Sequence, residues 1–130
     1  MKLSKSISYG IVALEYIAKH QDGSLILSDD ISKRYGIPLE YLFKILQQFV
    51  KAGILHSKRG PGGGYSLAKP LKKVSMLDVI EAVEGPMKRN LKIAVLAPKE
   101  RFGPKAEAAI DKAYGQAKVV FDKTKMSDVL

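Results

Sequence analysis

Lys58-Arg59-Gly60-Pro61-Gly62-Gly63-Gly64-Tyr65 sets two cations directly ahead of a turn made almost entirely of backbone. Glycine has no Cβ, so the stretch can reach φ > 0 and let another molecule approach the main chain, while Pro61 stiffens the tip. Lys58 and Arg59 put positive charge where a phosphate backbone could accept it. A glycine cluster by itself marks a turn more often than a site, so the flanks decide its meaning. Ile54-Leu55-His56-Ser57-Lys58 on one side and Tyr65-Ser66-Leu67-Ala68 on the other, closed by Pro70, alternate as the strands of a hairpin with one buried face.

Upstream of the hairpin the pattern is helical. Ile7, Ile11, Leu14 and Ala18 recur at spacings of three and four, with Val12 and Ile17 alongside, which predicts a first helix over roughly Ser4 to Lys19. Gly23 breaks it, and Leu25-Ile26-Leu27 is long enough only for a small strand or extended connector. Ser28 is expected to cap a short second helix, with Asp29 and Asp30 complementing its dipole and Gly36 ending it. Ile37-Pro38 opens a third helix whose core face is Leu39, Leu42, Ile45, Leu46 and Phe49 up to Gly53. Glu40, Lys44, Gln47 and Lys51 share its opposite face, with Tyr41 beside Glu40. Any surface helix shows a polar face, but the tight Gly36-Ile37-Pro38 connection has the spacing of a helix-turn-helix whose second helix enters a major groove. Three helices followed by a hairpin give the order of a winged helix-turn-helix domain. Downstream, Ser75-Met76-Leu77-Asp78 resembles a capping box opening a fourth helix, with Val79, Ile80 and Val83 on its apolar face and Gly85 at its end.

Composition agrees with a polyanionic partner. The chain has 130 residues, a hydrophobic content of 46% and a formal charge of +9 from 22 basic and 13 acidic side chains. Residues 1–70 hold ten basic and five acidic side chains, against five and four in 104–130. With no cysteine, disulfides, thiolate metal sites and thiol catalysis are excluded. Two unrelated histidines and no metal-ligand spacing argue against an enzyme. No apolar run approaches a membrane span and no signal-peptide core opens the chain, so no membrane partner and a cytoplasmic location are expected. RNA readers usually stack bases on exposed aromatics, and the six tyrosines and four phenylalanines are expected to be absorbed largely by the core.

Ile37-Pro38-Leu39-Glu40-Tyr41-Leu42, Gly53-Ile54-Leu55, Arg59-Gly60-Pro61-Gly62-Gly63-Gly64-Tyr65 and Val79-Ile80-Glu81-Ala82-Val83-Glu84-Gly85-Pro86 together resemble the Rrf2 family of bacterial transcriptional regulators, over roughly residues 1–87. The resemblance implies a dimeric winged-helix DNA-binding protein. It implies that Tyr41 and its neighbours on the third helix face the operator and that Arg59 on the wing reaches the minor groove. Many members hold an iron–sulfur cluster with cysteines in the loop after the fourth helix. Here Pro86 to Gly103 has none, offering instead Met87, Lys88, Arg89, Lys92 and the run Ile93-Ala94-Val95-Leu96. Cluster ligation by thiolates is impossible, His20 and His56 lie outside the segment, and no cofactor is expected. The segment is left with three readings: a small-effector site, a surface docked on the dimer, or a remnant that merely packs.

From Pro104 the sequence reads as one long helix. Ala106, Ile110, Ala113, Ala117, Val120 and Thr124 step by 4, 3, 4, 3 and 4, a heptad-type seam expected to form a homodimer. Lys105 to Lys123 would span roughly 28 Å at 1.5 Å per residue, longer than so small a body requires. The expected architecture is mainly α with a small β-hairpin: a winged helix-turn-helix domain over 1–85, the loop 86–103, and a dimerisation helix and tail over 104–130. The expected function is a dimeric regulator, with repression the favoured mode, on a palindromic double-stranded DNA operator. Ser28, Lys33, Lys44 and Lys58 would meet phosphates. Pro38 and Leu39 would open the recognition helix, and Glu40, Tyr41 and Gln47 would reach base edges, Glu40 accepting from a cytosine amino group and Gln47 reading adenine. Arg59, with Gly60, Pro61, Gly62, Gly63, Gly64 and Tyr65, would form the wing contact, where a narrow minor groove concentrates negative potential. The rival reading is a winged-helix module for protein–protein interaction that no longer binds DNA specifically, since fold does not fix function.

Overall fold

The computed structural model describes residues 2–88 and 91–130; Arg89 lies outside the described residues. Among the described residues, seven α-helices, a short 3-10 turn and one hairpin follow in order: α1 (Lys5–Lys19), α2 (Ser28–Tyr35), α3 (Leu39–Lys51), β1 (Leu55–Lys58), β2 (Gly64–Leu67), the turn Leu71–Lys73, α4 (Met76–Glu84), α5 (Ile93–Leu96), α6 (Phe102–Lys123) and α7 (Met126–Val129). The mainly helical, winged-helix architecture expected from the sequence is the one observed.

The core forms where the first three helices, the hairpin and α4 meet, around Leu14, Ile17, Ile31, Leu42, Leu46, Phe49, Ile54 and Val79. On α1 the fully buried line runs through Gly10, Ala13, Leu14 and Ile17, while Ile11 and Ala18, expected at its centre, are half-buried at its edge. Gly10 is there because Phe49 needs the space: a Cβ at Gly10 would lie 2.7 Å from Phe49 Cζ. The absent side chain lets α1 and α3 close over the phenyl ring.

Two local expectations are corrected. Ser28 is the first residue of α2, not its cap; Leu27 holds the cap position and no side chain bonds the free amides there. Leu39 is not a core residue but is 45% exposed, because α3 starts at Leu39 and its buried face begins one turn later, at Leu42. The turn between α2 and α3 is fixed by Gly36 in the left-handed conformation and by the Ser32 hydroxyl donating to the Ile37 carbonyl at 2.6 Å. The expected capping box at α4 is complete. Asp78 N–H donates to Ser75 Oγ, and Ser75 N–H donates to the Asp78 carboxylate, both at 2.9 Å.

The chain's end returns to this body. Met76 N–H donates to the Thr124 carbonyl at 2.8 Å and Met126 N–H to the Val74 carbonyl at 2.7 Å, and the Met126 side chain is completely buried in the same core. Helix α6, 22 residues long, packs on α4 and carries α5 against its first turns, where Ala94 N–H donates to Glu107 Oε1 at 2.9 Å. The seam is split: Ala106, Ile110 and Ala117 are half-buried, whereas Ala113 and Val120 face outward.

Candidate nucleic-acid interface

The hairpin, α3 and the start of α2 share one side of the molecule. β1 and β2 pair antiparallel with Leu55 opposite Leu67 and Lys58 opposite Gly64, leaving residues 59–63 as the tip. The tip closes with Gly63 N–H donating to the Gly60 carbonyl at 2.9 Å. Backbone crowding dictates glycine at two places: a Cβ on Gly63 in the tip would sit 2.3 Å from the Lys58 carbonyl oxygen, and one on Gly64, the first residue of β2, would sit 2.6 Å from that of Ile26. No side chain fits at either place without moving main chain.

Tyr65 joins all three elements. Its backbone exchanges hydrogen bonds with Ile26 in both directions, at 2.8 and 2.9 Å, so the Leu25-Ile26-Leu27 connector docks on the hairpin as a single β-bridge. Its ring is only 6% exposed, and its hydroxyl accepts from Gln47 Nε2 on α3 at 2.9 Å. Tyr65 therefore stands behind the surface and sets the spacing between wing and helix. Gln47, half-buried, spends one amide hydrogen on that bond and keeps its remaining polar atoms for other partners.

Leu27 and Ser28, Phe43 and Gln47, and Ser57 to Gly60 with Gly63 to Tyr65 line a shallow groove of about 400 Å³. Glu40, Tyr41, Lys44, Lys58, Arg59 and Pro61 are exposed around it. Among the described residues Lys44, Lys58 and Arg59 form no ion pair, so their charge faces solvent. Lys33 differs, because it bonds the Asp29 carboxylate at 2.7 Å, one turn back on α2. That hydrogen bond and charge hold its ammonium above the usual lysine range.

The aromatics are only partly absorbed by the core: Phe49 and Tyr65 are buried, but on α3 Phe43 is 54% exposed beside Tyr41, which is 61% exposed as a contact residue should be. Phe43 has no polar group to mark it in sequence; its signal is its place off the buried run Leu42, Ile45, Leu46 and Phe49.

The sequence profile of the Rrf2 family, described as an iron-dependent transcriptional regulator, matches residues 3–129. The HTH-type transcriptional regulator IscR of Cereibacter sphaeroides is 40% identical over 86 residues, 65% of this chain and 56% of that protein. IscR of Vibrio vulnificus is 40% identical over 84 residues, 65% of this chain and 50% of that one. The chain spans about half the length of the curated relatives it matches. Among solved structures, CymR, the global cysteine regulator of B. subtilis, has a TM-score of 0.79 at 23% identity, covering 99% of this chain and 95% of that chain. IscR of T. potens has a TM-score of 0.73 at 25% identity, covering 99% and 85%. The curated relatives are named as transcriptional regulators.

The iron in the family's description does not fit the residues present. The sequence contains no thiolate donor, and among the described residues no three His, Cys, Asp or Glu side chains gather in a way that could hold a metal ion. His20 stacks on Tyr16 and bonds its carbonyl, and His56 sits exposed on β1. Matched across almost its whole length, the chain belongs to the Rrf2 family of helix-turn-helix transcriptional regulators.

Proposed function

We propose that the protein binds double-stranded DNA as a homodimer, with α3 in the major groove and the 59–63 tip along the adjacent minor groove, and that it does so without an iron–sulfur cluster. The observation that carries this reading is the shared groove, where α3, the wing and the start of α2 meet beside solvent-facing Lys58 and Arg59. Lys44 and Lys58 meet phosphates and fix register, while Ser28 and the uncapped amides that open α2 offer donors to a phosphate oxygen. Lys33 contributes after exchanging Asp29 for phosphate. Glu40, Tyr41 and Gln47 meet base edges, Leu39 and Pro38 set the depth of the helix, and Arg59 reads a narrowed minor groove. Gly60, Pro61, Gly62, Gly63 and Gly64 let main chain lie close to the sugar–phosphate rail, with Tyr65 supporting them from behind.

Dimerisation uses the outer edge of α6, where Ala113 and Val120 are exposed and Ala106, Ile110 and Ala117 border them. Two copies would set their recognition helices about 34 Å apart, one turn of DNA, so the operator is an imperfect palindrome. Occupying such a site where polymerase must bind represses transcription. No small-molecule effector is assigned. Selection of duplexes from a random pool by the full chain, followed by footprinting, tests the reading. Two inverted half-sites centred one turn apart are expected; enrichment of no sequence would favour the protein-interaction alternative.

A further inference from the structure

Phe43 is unexplained by folding and by the polar contacts above. An aromatic side chain left more than half exposed costs favourable burial, and among the described residues its ring stacks on no other. It stands on α3 one turn after Leu39, itself 45% exposed. The two make a short apolar strip that borders the Glu40, Lys44 and Gln47 stripe and runs into the groove shared with Ser28 and the wing. Cations flank it at Lys44, Lys58 and Arg59, all free of ion pairs among the described residues. A protein partner with an acidic rim would also suit this strip; family membership among helix-turn-helix transcriptional regulators favours DNA, and a protein partner is an outcome the test distinguishes. In the major groove the one apolar feature presented by base pairs is the thymine 5-methyl group, and phenylalanine is among the side chains that contact it.

Resting on the DNA-binding reading, we propose that Phe43, with Leu39 beside it, is a specificity-determining contact that recognises thymine 5-methyl groups in the operator. The strip selects T over C at the positions it covers, by burying a methyl that cytosine and uracil lack. It acts alongside the polar readers on α3.

The test uses the duplex enriched by the full chain from a random pool, made with thymine or with uracil replacing each thymine in turn. Wild type should bind about fourfold more weakly for each covered methyl removed, the value of burying one such group. Phe43→Ala should weaken binding to the thymine duplex and bring the thymine-to-uracil ratio to one at those positions, with its melting temperature unchanged because the ring is exposed. Phe43→Leu should restore part of the ratio. A wild-type protein that binds selectively yet treats uracil and thymine alike would overturn the proposal and leave the DNA-binding reading intact. So would an equal ratio in wild type and Phe43→Ala, which would locate the methyl effect in DNA shape. Failure to enrich any duplex would sink the regulator reading first and this one with it.

Discussion

The Tyr65 hydroxyl is the smallest group on which the geometry of the surface turns. It holds Gln47 at 2.9 Å while the same residue's backbone holds Ile26, so a single residue sets the wing, α3 and the connector into α2 in register. Tyr65→Phe keeps the buried ring and deletes only the bond. The expected loss is about 1 kcal/mol of stability, the net worth of one hydrogen bond, seen as a drop of about 4 °C in Tm for a domain of this size. Selectivity at the position facing Gln47 should fall while affinity for unrelated duplex stays the same. Unchanged selectivity measured by competition binding would show that Gln47 is positioned by α3 alone. The string around Tyr65 was readable as a basic wing because glycine and cation are visible in sequence. Its inward-facing role was not, since nothing local says that residue 65 meets residue 47.

At the scale of elements, periodicity located the first four helices and the hairpin, because each carries its own buried face. Ser75 and Asp78 form the box that their spacing announced. Leu39 and Ser28 went astray where the end of a helix, rather than its middle, decided exposure, and one residue of offset at a terminus moves a side chain from core to solvent. The tail was hardest to read. Met126 fills the core through a bridge to Val74, a contact between residues 52 positions apart that no local pattern encodes. Met126→Ala should cost 2–5 kcal/mol, the usual range for emptying a buried site of that size, measurable by urea unfolding. A change below about 0.5 kcal/mol, the scale of ordinary surface substitutions, would mean that the tail is dispensable. Val120, by contrast, is exposed on α6. Val120→Glu should leave the melting of the isolated fold in place and shift the mass seen by light scattering from dimer to monomer. A variant that stays dimeric would move the interface off this edge of α6.

For the whole molecule, the formal charge of +9 and the groove between α3 and the wing describe one design, in which unspecific attraction and shaped contact act on the same ligand. Charge alone gives binding that fades steeply with salt and ignores sequence, whereas the contacts proposed in the groove would add discrimination between sequences. Family membership was legible from the wing and the recognition helix together, while the exposed apolar strip at Leu39 and Phe43 and the return of the tail needed three dimensions. The most direct test of the central claim is fluorescence anisotropy of the full chain on DNA from upstream of its own gene and on a scrambled duplex, across a salt series, with Arg59→Ala in parallel. Tight binding to the first duplex alone, weakened about tenfold or more by Arg59→Ala at unchanged Tm, is the expected result, tenfold being 1.4 kcal/mol and within the range of one specific DNA contact. Equal, weak binding of both duplexes that vanishes with salt, or equal affinity for mutant and wild type, would contradict it.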